Sequence, residues 1–309
     1  MEGELWKEAY RVVREEGNRQ PPRRRQSYPD AVIVLVLLWA ALHDRPVSWA
    51  CVGRNWHWAG CGRGRKPGRL PSAATMSRRL RTVGALGLLG RALGRLGDKA
   101  PPALVRRVDG KPLPVGGFSK DRDAKWGQAV DHKARGYKLF LVWGAGVVPD
   151  AWKLGPMSEP EPVAAARDLV PKLVGGGYLL GDGIYDSNPT HAACDACGFQ
   201  LVAPRKDPHA GLGHCPHEPG RLRSIALLET PAPGDLPLPG SGPGPAPFAR
   251  ALYDRRGDIE RELGGWCSFG GGLQPLPSWA RTPHRVAYWT AAKLLINALR
   301  LCRLRGIAA

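Results

Sequence analysis

Acidic residues are scarce in this sequence: 27 Asp and Glu stand against 45 Lys and Arg, a formal charge of +18 at pH 7. Hydrophobic residues make up 43% of the 309, enough for about two domains with cores of their own. The positive excess therefore belongs to a folded chain and not to a disordered basic tail. Long apolar runs are missing as well. The strongest, residues 31–42, is shorter than the ~20 residues a bilayer span needs and reads as a buried helix, so no membrane partner is expected. No secretory signal opens the chain, whose first residues MEGELWKEAYRVVREEG are amphipathic and charged. Seven cysteines, an odd number without regular spacing, make no disulfide framework. No internal repeat is visible, and no convincing Ser/His/Asp set for nucleophilic catalysis. The expected setting is the reducing cytoplasm or nucleoid. A folded, strongly cationic chain points to nucleic acid or an anionic surface; a generally basic background is the plainer alternative.

What is present falls into two parts. Residues 1–99 read as mostly helical, with apolar positions at helical spacing over 5–13, 31–42 and 76–96. Between the last two lies a stretch rich in Gly, Trp and Arg, followed by Pro71-Ser72 and AATMSRRLRT. Ser72 is a natural N-cap. A short capped helix carrying Arg78, Arg79 and Arg81 has the form of the second helix of a helix-turn-helix, or else of a solvated basic face. From about residue 100 the pattern changes to strands, LVRRVDG, GYKLFLVWGAG and a short third in VPDAWKLGPM. EPVAAARDLVPKLV has helical spacing, and Gly175 to Gly177 end it. GYLLGDG is a strand, NPTHAACDACG a helix with Asn188 as its cap and Gly198 as its close, and FQLVAPRK a strand again. Strands alternating with helices predict an α/β fold, a mixed sheet with flanking helices. Residues 207–248, rich in Pro and Gly, read as an irregular insertion. ARALYDRRGDIERELGG and VAYWTAAKLLINALRLCRLR then predict two helices.

Asp109 and Asp182 each end a strand-like run and each precedes a glycine. Ligands of open α/β sheets gather at the carboxyl ends of strands. Two carboxylates placed there side by side repel unless a cation separates them. A hard divalent ion suits them, Mg²⁺ taking one or two carboxylates with phosphate oxygens and water. Glu260 follows Tyr253 by seven positions and Arg256 by four, so on one continuous helix the three share a face. Such a face offers the acid to a metal and the guanidinium to a phosphate. Any one of these acids alone is more readily structural; the combination in a basic chain is more specific.

The blocks VDGKPLPV, SKDRDAKWGQ with GYKLFLVWG, LLGDGIYDSN and YDRRGDIERELG resemble the catalytic domain of bacterial insertion-sequence DDE transposases. They are most similar to the branch with a Tyr-x2-Arg-x3-Glu-x6-Lys signature, and the likeness runs over residues 100–309. It implies a ribonuclease H-like catalytic domain there, and the helical residues 1–99 with their helix-turn-helix-like element are then read as a DNA-binding region. It makes Asp109, Asp182 and Glu260 the three catalytic, metal-ligating acids, with Tyr253 and Arg256 at the signature's first two positions. The signature's lysine is replaced by Cys267, which removes one phosphate contact and leaves the acids intact. The implied activity is Mg²⁺-dependent cleavage at transposon ends and strand transfer into target DNA, with Mn²⁺ able to substitute. Paired ions would clamp the attacking and leaving oxygens. The implied partner is double-stranded DNA, with the protein a dimer in the synaptic complex. A nuclease of the same fold that cuts without joining is the rival enzyme, and a decayed or domesticated DNA-binding protein the rival of another class.

Tyr253 suits a flipped base as a stacking platform or anchors its helix to the core. Arg256 touches phosphate or pairs with Asp182 or Glu260. Lys111, Lys120, Arg122, Lys125, Lys133 and Lys138 surround the first two strands and line a DNA path, or are simply solvated. Cys194 and Cys197, with His214, Cys215 and His217 downstream, have the spacing of a zinc site, although the cysteines also fit a helix of the strand–helix–strand unit. Cys51, His57 and Cys61 make a weaker set. Asp186, beyond the strand end, is a turn residue or a partner to a ligand.

Overall fold

The computed structural model describes residues 2–19, 27–56, 69–97, 103–116, 118–209, 211–212, 214–229, 247–273 and 275–309. In chain order the helices α1 Glu2–Asn18, α2 Asp30–Leu42, α3 Val47–Ala50, α4 Ala73–Arg79 and α5 Val83–Gly97 come first. Strands β1 Val105–Pro114, β2 Lys125–Gln128, β3 Lys133–Trp143 and β4 Ala151–Pro156 follow. Then come α6 Glu161–Ala164, β5 Gly177–Leu180, α7 Asn188–Ala196, β6 Phe199–Val202, α8 Pro219–Glu229, α9 Pro247–Asp254, α10 Gly257–Cys267 and α11 Pro283–Leu304. The chain divides into two compact units, one of Met1–Ala100, Pro114–Ala124 and Gly265–Ala309, the other of Pro101–Leu113 and Lys125–Gly264.

The first unit is helical. In α2 every residue from Ile33 to Leu42 is buried, as its unbroken apolar run requires, and α1, α5 and α11 pack against it. Trp39 stacks on Trp56 with ring centroids 4.8 Å apart, and Trp6 meets Trp39 edge-on. The C-terminal helix α11, expected with the catalytic half, belongs here. Its buried side chains, among them Leu294, Leu295, Ala298 and Leu299, need an apolar partner, and α2 and α5 supply it. The same face carries Lys293, wholly buried. Burial lowers its pKa, and the ammonium is satisfied by the Ala41 carbonyl at 2.6 Å and the Asp44 carboxylate, the pairing a buried charge demands.

The second unit is a mixed α/β sheet with flanking helices. Among the described residues the sheet has six strands in the order β2-β3-β1-β5-β6, with β4 also on β3. The antiparallel partners of β3 divide its length, β2 pairing residues 133–136 and β4 residues 137–142. β1 pairs β5 in parallel and β5 pairs β6 in parallel. The β5–α7–β6 unit is as expected, with Gly198 (φ +76) closing α7. One core cluster joins Val108, Phe140, Val142, Leu169, Leu179, Cys194, Phe199 and Leu201. Two arginines of β1 fasten it to its surroundings: Arg106 to Asp150 at 3.1 Å and the Val174 carbonyl at 2.8 Å, Arg107 to Asp258 and the Arg255 carbonyl.

Three local expectations change. EPVAAARDLVPKLV is not one helix: α6 gives way to a π turn at Ala165–Leu169 and a 3-10 turn at Val170–Lys172, because Pro171 has no N–H to continue the ladder. Part of the supposed irregular insertion is the helix α8, docked on β6 through Ser224, whose hydroxyl pairs with both backbone groups of Ala203 at 3.0 Å; residues 230–246 lie outside the described ones. The helix expected through 249–265 breaks at Arg255-Arg256 into α9 and α10. There the bonds Arg256 N–H to Tyr253 O and Asp258 N–H to Arg255 O replace the α-helical ladder, and Gly257 starts the next helix.

Candidate active site

β1 does not end at Asp109; it continues to Pro114. The expected juxtaposition nonetheless forms, because what matters is where pairing with β5 ends. The last paired position is Arg107 with Leu180. Asp109 and Asp182 each lie two residues beyond it, so the parallel register sets them at one level where the pairing of the two strands ends. Burial pushes the Asp109 carboxyl up to about 6, with the charges of Glu161 and Asp182 adding to the rise and the Gly110 N–H and Arg256 opposing it. Asp182 caps the 3-10 turn Gly183–Tyr185, its Oδ1 accepting from the Ile184 N–H at 3.0 Å. In the same way Asp109 Oδ1 accepts from the Gly110 N–H at 2.8 Å. Each carboxylate thus accepts through one oxygen from a backbone N–H one or two residues further on.

Glu260, the third acid of the expected set, stands apart from this pair. Its side chain is 60% exposed and pairs with Arg256 at 3.0 Å, the bland alternative for that arginine. The break puts Tyr253 and Glu260 on two separate helices, α9 and α10. Tyr253 leans on the core formed by Leu180, Val202 and Leu252 and donates its hydroxyl to the Gly181 carbonyl at 3.3 Å, which is the anchoring arrangement. Arg256 sits between the two groups of acids, acting on Asp109 through its charge while bonded to Glu260.

A further acid, which sequence reasoning passed over, lies close to Asp109. Glu161, the first residue of α6, lies against β1 beside Asp109. Its Oε1 accepts from Lys138 at 2.9 Å and its Oε2 from the Tyr185 hydroxyl at 2.8 Å. Tyr185 is fully buried, and burial with the Glu161, Asp109 and Asp182 charges keeps its phenol protonated, hence a donor. The signal was an acid opening a helix directly after a strand pair, and a tyrosine inside GDGIYDSN.

Among the described residues no group of three or more His, Cys, Asp or Glu is arranged to hold a metal ion. Asp109 and Asp182 together offer hard oxygen donors, and Mg²⁺ is content with one or two carboxylates when phosphate and water complete its shell. The donor chemistry therefore fits that ion with two protein ligands. The zinc alternative does not fit. Cys194 is part of the sheet's core, wholly buried, and that burial pushes its thiol up to about 12. His217 is engaged with the Leu212 carbonyl and Arg221. Of the weaker set, His57 and Cys61 lie outside the described residues.

The proposed DNA contacts separate by exposure. Ser72 caps α4 as expected, accepting from the Thr75 N–H. Arg78 and Arg81 are exposed. Arg79 is instead turned inward to Asp30 and the Tyr28 carbonyl, which makes it a structural residue. Lys125 is exposed on the edge strand β2 and Lys111 is half-buried. Lys138 is 7% exposed and committed to Glu161, so it does not line a surface path. Asp186 is a clamp: two bonds from Arg221 at 2.7 and 2.8 Å, with His191 beside it, tie the end of β5 to α8.

No family model matches the chain, and no curated protein matches it. Among solved structures the chain is similar to one in the cryo-EM structure of a piggyBac transposase synaptic complex with hairpin DNA. The identity is 11% and the TM-score 0.48, over 98% of this chain and 74% of that one. No helix among the described residues is long and apolar enough to cross a membrane.

Proposed function

We propose that the protein is a transposase of ribonuclease H-like fold that cuts DNA at transposon ends and joins the freed strand to target DNA. The observation that carries the reading is the level placement of Asp109 and Asp182 just beyond the last paired position of two parallel strands. It occurs in a chain of net charge +18 whose sequence blocks follow the DDE order. In this reading Asp109 and Asp182 hold the cation, and Glu260 is the third acid once Arg256 is drawn to phosphate. Mg²⁺, with Mn²⁺ as substitute, supplies when bound the charge neutralisation and the activated hydroxyl that displacement at phosphorus needs. The chain's own residues fix the two carboxylates through the Gly110 and Ile184 amides. They also keep Tyr253 under the strand end and present Arg256 to the backbone phosphates of the duplex. Cleavage forms a bond from water oxygen to phosphorus as the bond to the 3′-oxygen breaks; joining repeats the displacement with the freed 3′-hydroxyl.

The exposed, paired Glu260 favours a second reading, a DNA-binding protein that does not cut. Incubation of the full chain with the element's own ends, a target plasmid and Mg²⁺ or Mn²⁺ separates them. The transposase reading expects nicked ends and joined products, reduced about a hundredfold or more by Asp109→Asn or Asp182→Asn. Cutting without joined products identifies a nuclease, and bound but uncut DNA identifies the binding protein.

A further inference from the structure

Glu161 belongs to none of the roles described so far, yet it is the most tightly held acid near Asp109. Its carboxyl is seated on β1: a Cβ built on Gly110 would lie 2.6 Å from the carboxyl carbon, so the close approach exists only because residue 110 is glycine. Both oxygens are taken by inward-facing donors, the Lys138 ammonium at 2.9 Å and the Tyr185 hydroxyl at 2.8 Å. The side chains of Glu161 and Lys138 are 13% and 9% exposed, and Tyr185 is 1% exposed. A carboxylate whose oxygens are both occupied is not offered as a ligand. What it offers is charge. Asp109, Asp182 and Glu161 are three negative groups facing two cations, Lys138 and Arg256, at a site where burial weakens solvent screening.

We propose that Glu161 is a positioning residue of the cation site. Its charge, fixed against Gly110 by Lys138 and Tyr185, strengthens the hold of Asp109 and Asp182 on a divalent ion, and Lys138 limits that strengthening. The inference rests on the reading of Asp109 and Asp182 as cation ligands. It differs from a purely structural role in sign. Breaking a structural ion pair from either side leaves the other partner buried and unpaired, so both losses would disturb the site in one direction. A role through charge gives opposite effects. Glu161→Gln subtracts a negative charge and weakens cation binding; Lys138→Met subtracts a positive charge and tightens it.

The test is a Mn²⁺ titration of the full chain without DNA, read by the electron paramagnetic resonance signal of the free ion, with thermal melts confirming that each variant is folded. Glu161→Gln is expected to weaken Mn²⁺ about tenfold and Lys138→Met to tighten it severalfold, the scale of one charge at a partly buried site. Glu161→Asp, which keeps the charge, is expected to stay within about threefold of the parent, the smaller change left when charge is retained. Equal weakening by Glu161→Gln and Lys138→Met, or no change with Glu161→Gln, overturns the proposal. If Lys138→Met does not fold, the contrast between Glu161→Gln and Glu161→Asp decides, and equal loss in both overturns it. Asp109→Asn keeps the two readings distinguishable. A parent that binds no Mn²⁺, or an Asp109→Asn chain that binds it as the parent does, removes the ligand reading itself. Loss with Asp109→Asn but none with Glu161→Gln removes only the inference about Glu161.

Discussion

Asp109 and Asp186 are both acids near the end of the β1/β5 pair, and their environments drive them in opposite directions. Burial raises Asp186 too, but the two bonds from Arg221 and the neighbouring His191 outweigh it and hold the carboxyl well below the usual range. At Asp109 burial and the acidic neighbours outweigh the Gly110 N–H and the Arg256 charge and leave the carboxyl at about 6. A carboxyl kept near neutrality without a dedicated partner is the behaviour expected of a functional group, and it costs stability. A folded-state value above the unfolded one means that stability is fully present below about pH 4 and is lost as pH rises through about 6. Asp109→Asn should therefore stabilise the protein by on the order of 2 kcal/mol at pH 7, and the gain should vanish at pH 4. Urea unfolding at the two pH values measures it; a variant no more stable than the parent at pH 7 would show that Asp109 is not penalised by its surroundings.

At the scale of elements, the Asp186–Arg221 pair is one of the polar contacts that hold α8, which has few buried residues, Gly220 and Ser224, to hold it by packing. The pair depends on the ionised carboxylate, so its contribution is present above about pH 4 and fades as pH falls. Asp186→Asn should lower stability by about 3 kcal/mol at pH 7, the scale for removing one partner of a buried pair. Hydrogen exchange should show the added opening concentrated in α8. Protection unchanged there would assign the docking of α8 to its other contacts, Ser224 with Ala203, Gln200 with Gly220 and Arg223 with Asp195. The elements themselves were largely legible in the sequence. The β5–α7–β6 unit followed from Gly177, Pro189 and Gly198, and the capped α4 from Ser72. The antiparallel β2 was not legible, because KWGQ has neither alternation nor length, and its pairing is settled by β3. The break after α9 was hidden in an otherwise helical run, since a single glycine at 257 is compatible with a continuous helix; the anchoring of Asp258 to Arg107 is a contact between distant segments that no local pattern records. Glu161 was missed for the same reason. Its partners lie 23 and 24 positions away, and only the folded sheet brings them to Gly110.

For the whole molecule, the excess of positive charge is what connects the site to its proposed substrate. Buried pairs consume Arg79, Arg106, Arg107 and Lys138, so the total of +18 does not translate into that many phosphate contacts. Of the residues named for DNA contact, Arg78, Arg81 and Lys125 are exposed and Lys111 is half-buried. Each phosphate neutralised by such a group releases condensed counterion, so the logarithm of DNA affinity should fall linearly with the logarithm of salt concentration. With about four contacts the slope should be near −4, and the double variant Arg78→Ala, Arg81→Ala should reduce it by roughly 2 while weakening binding to all sequences alike. Fluorescence anisotropy on a labelled duplex across a salt series gives the slope directly. If the double variant keeps the parental slope, α4 does not touch phosphate, and Arg78 and Arg81 are solvated charge on a helix that serves only the packing of its own unit. If it keeps the slope but loses discrimination among duplex sequences, the two guanidiniums reach base edges instead, as the second helix of a helix-turn-helix does.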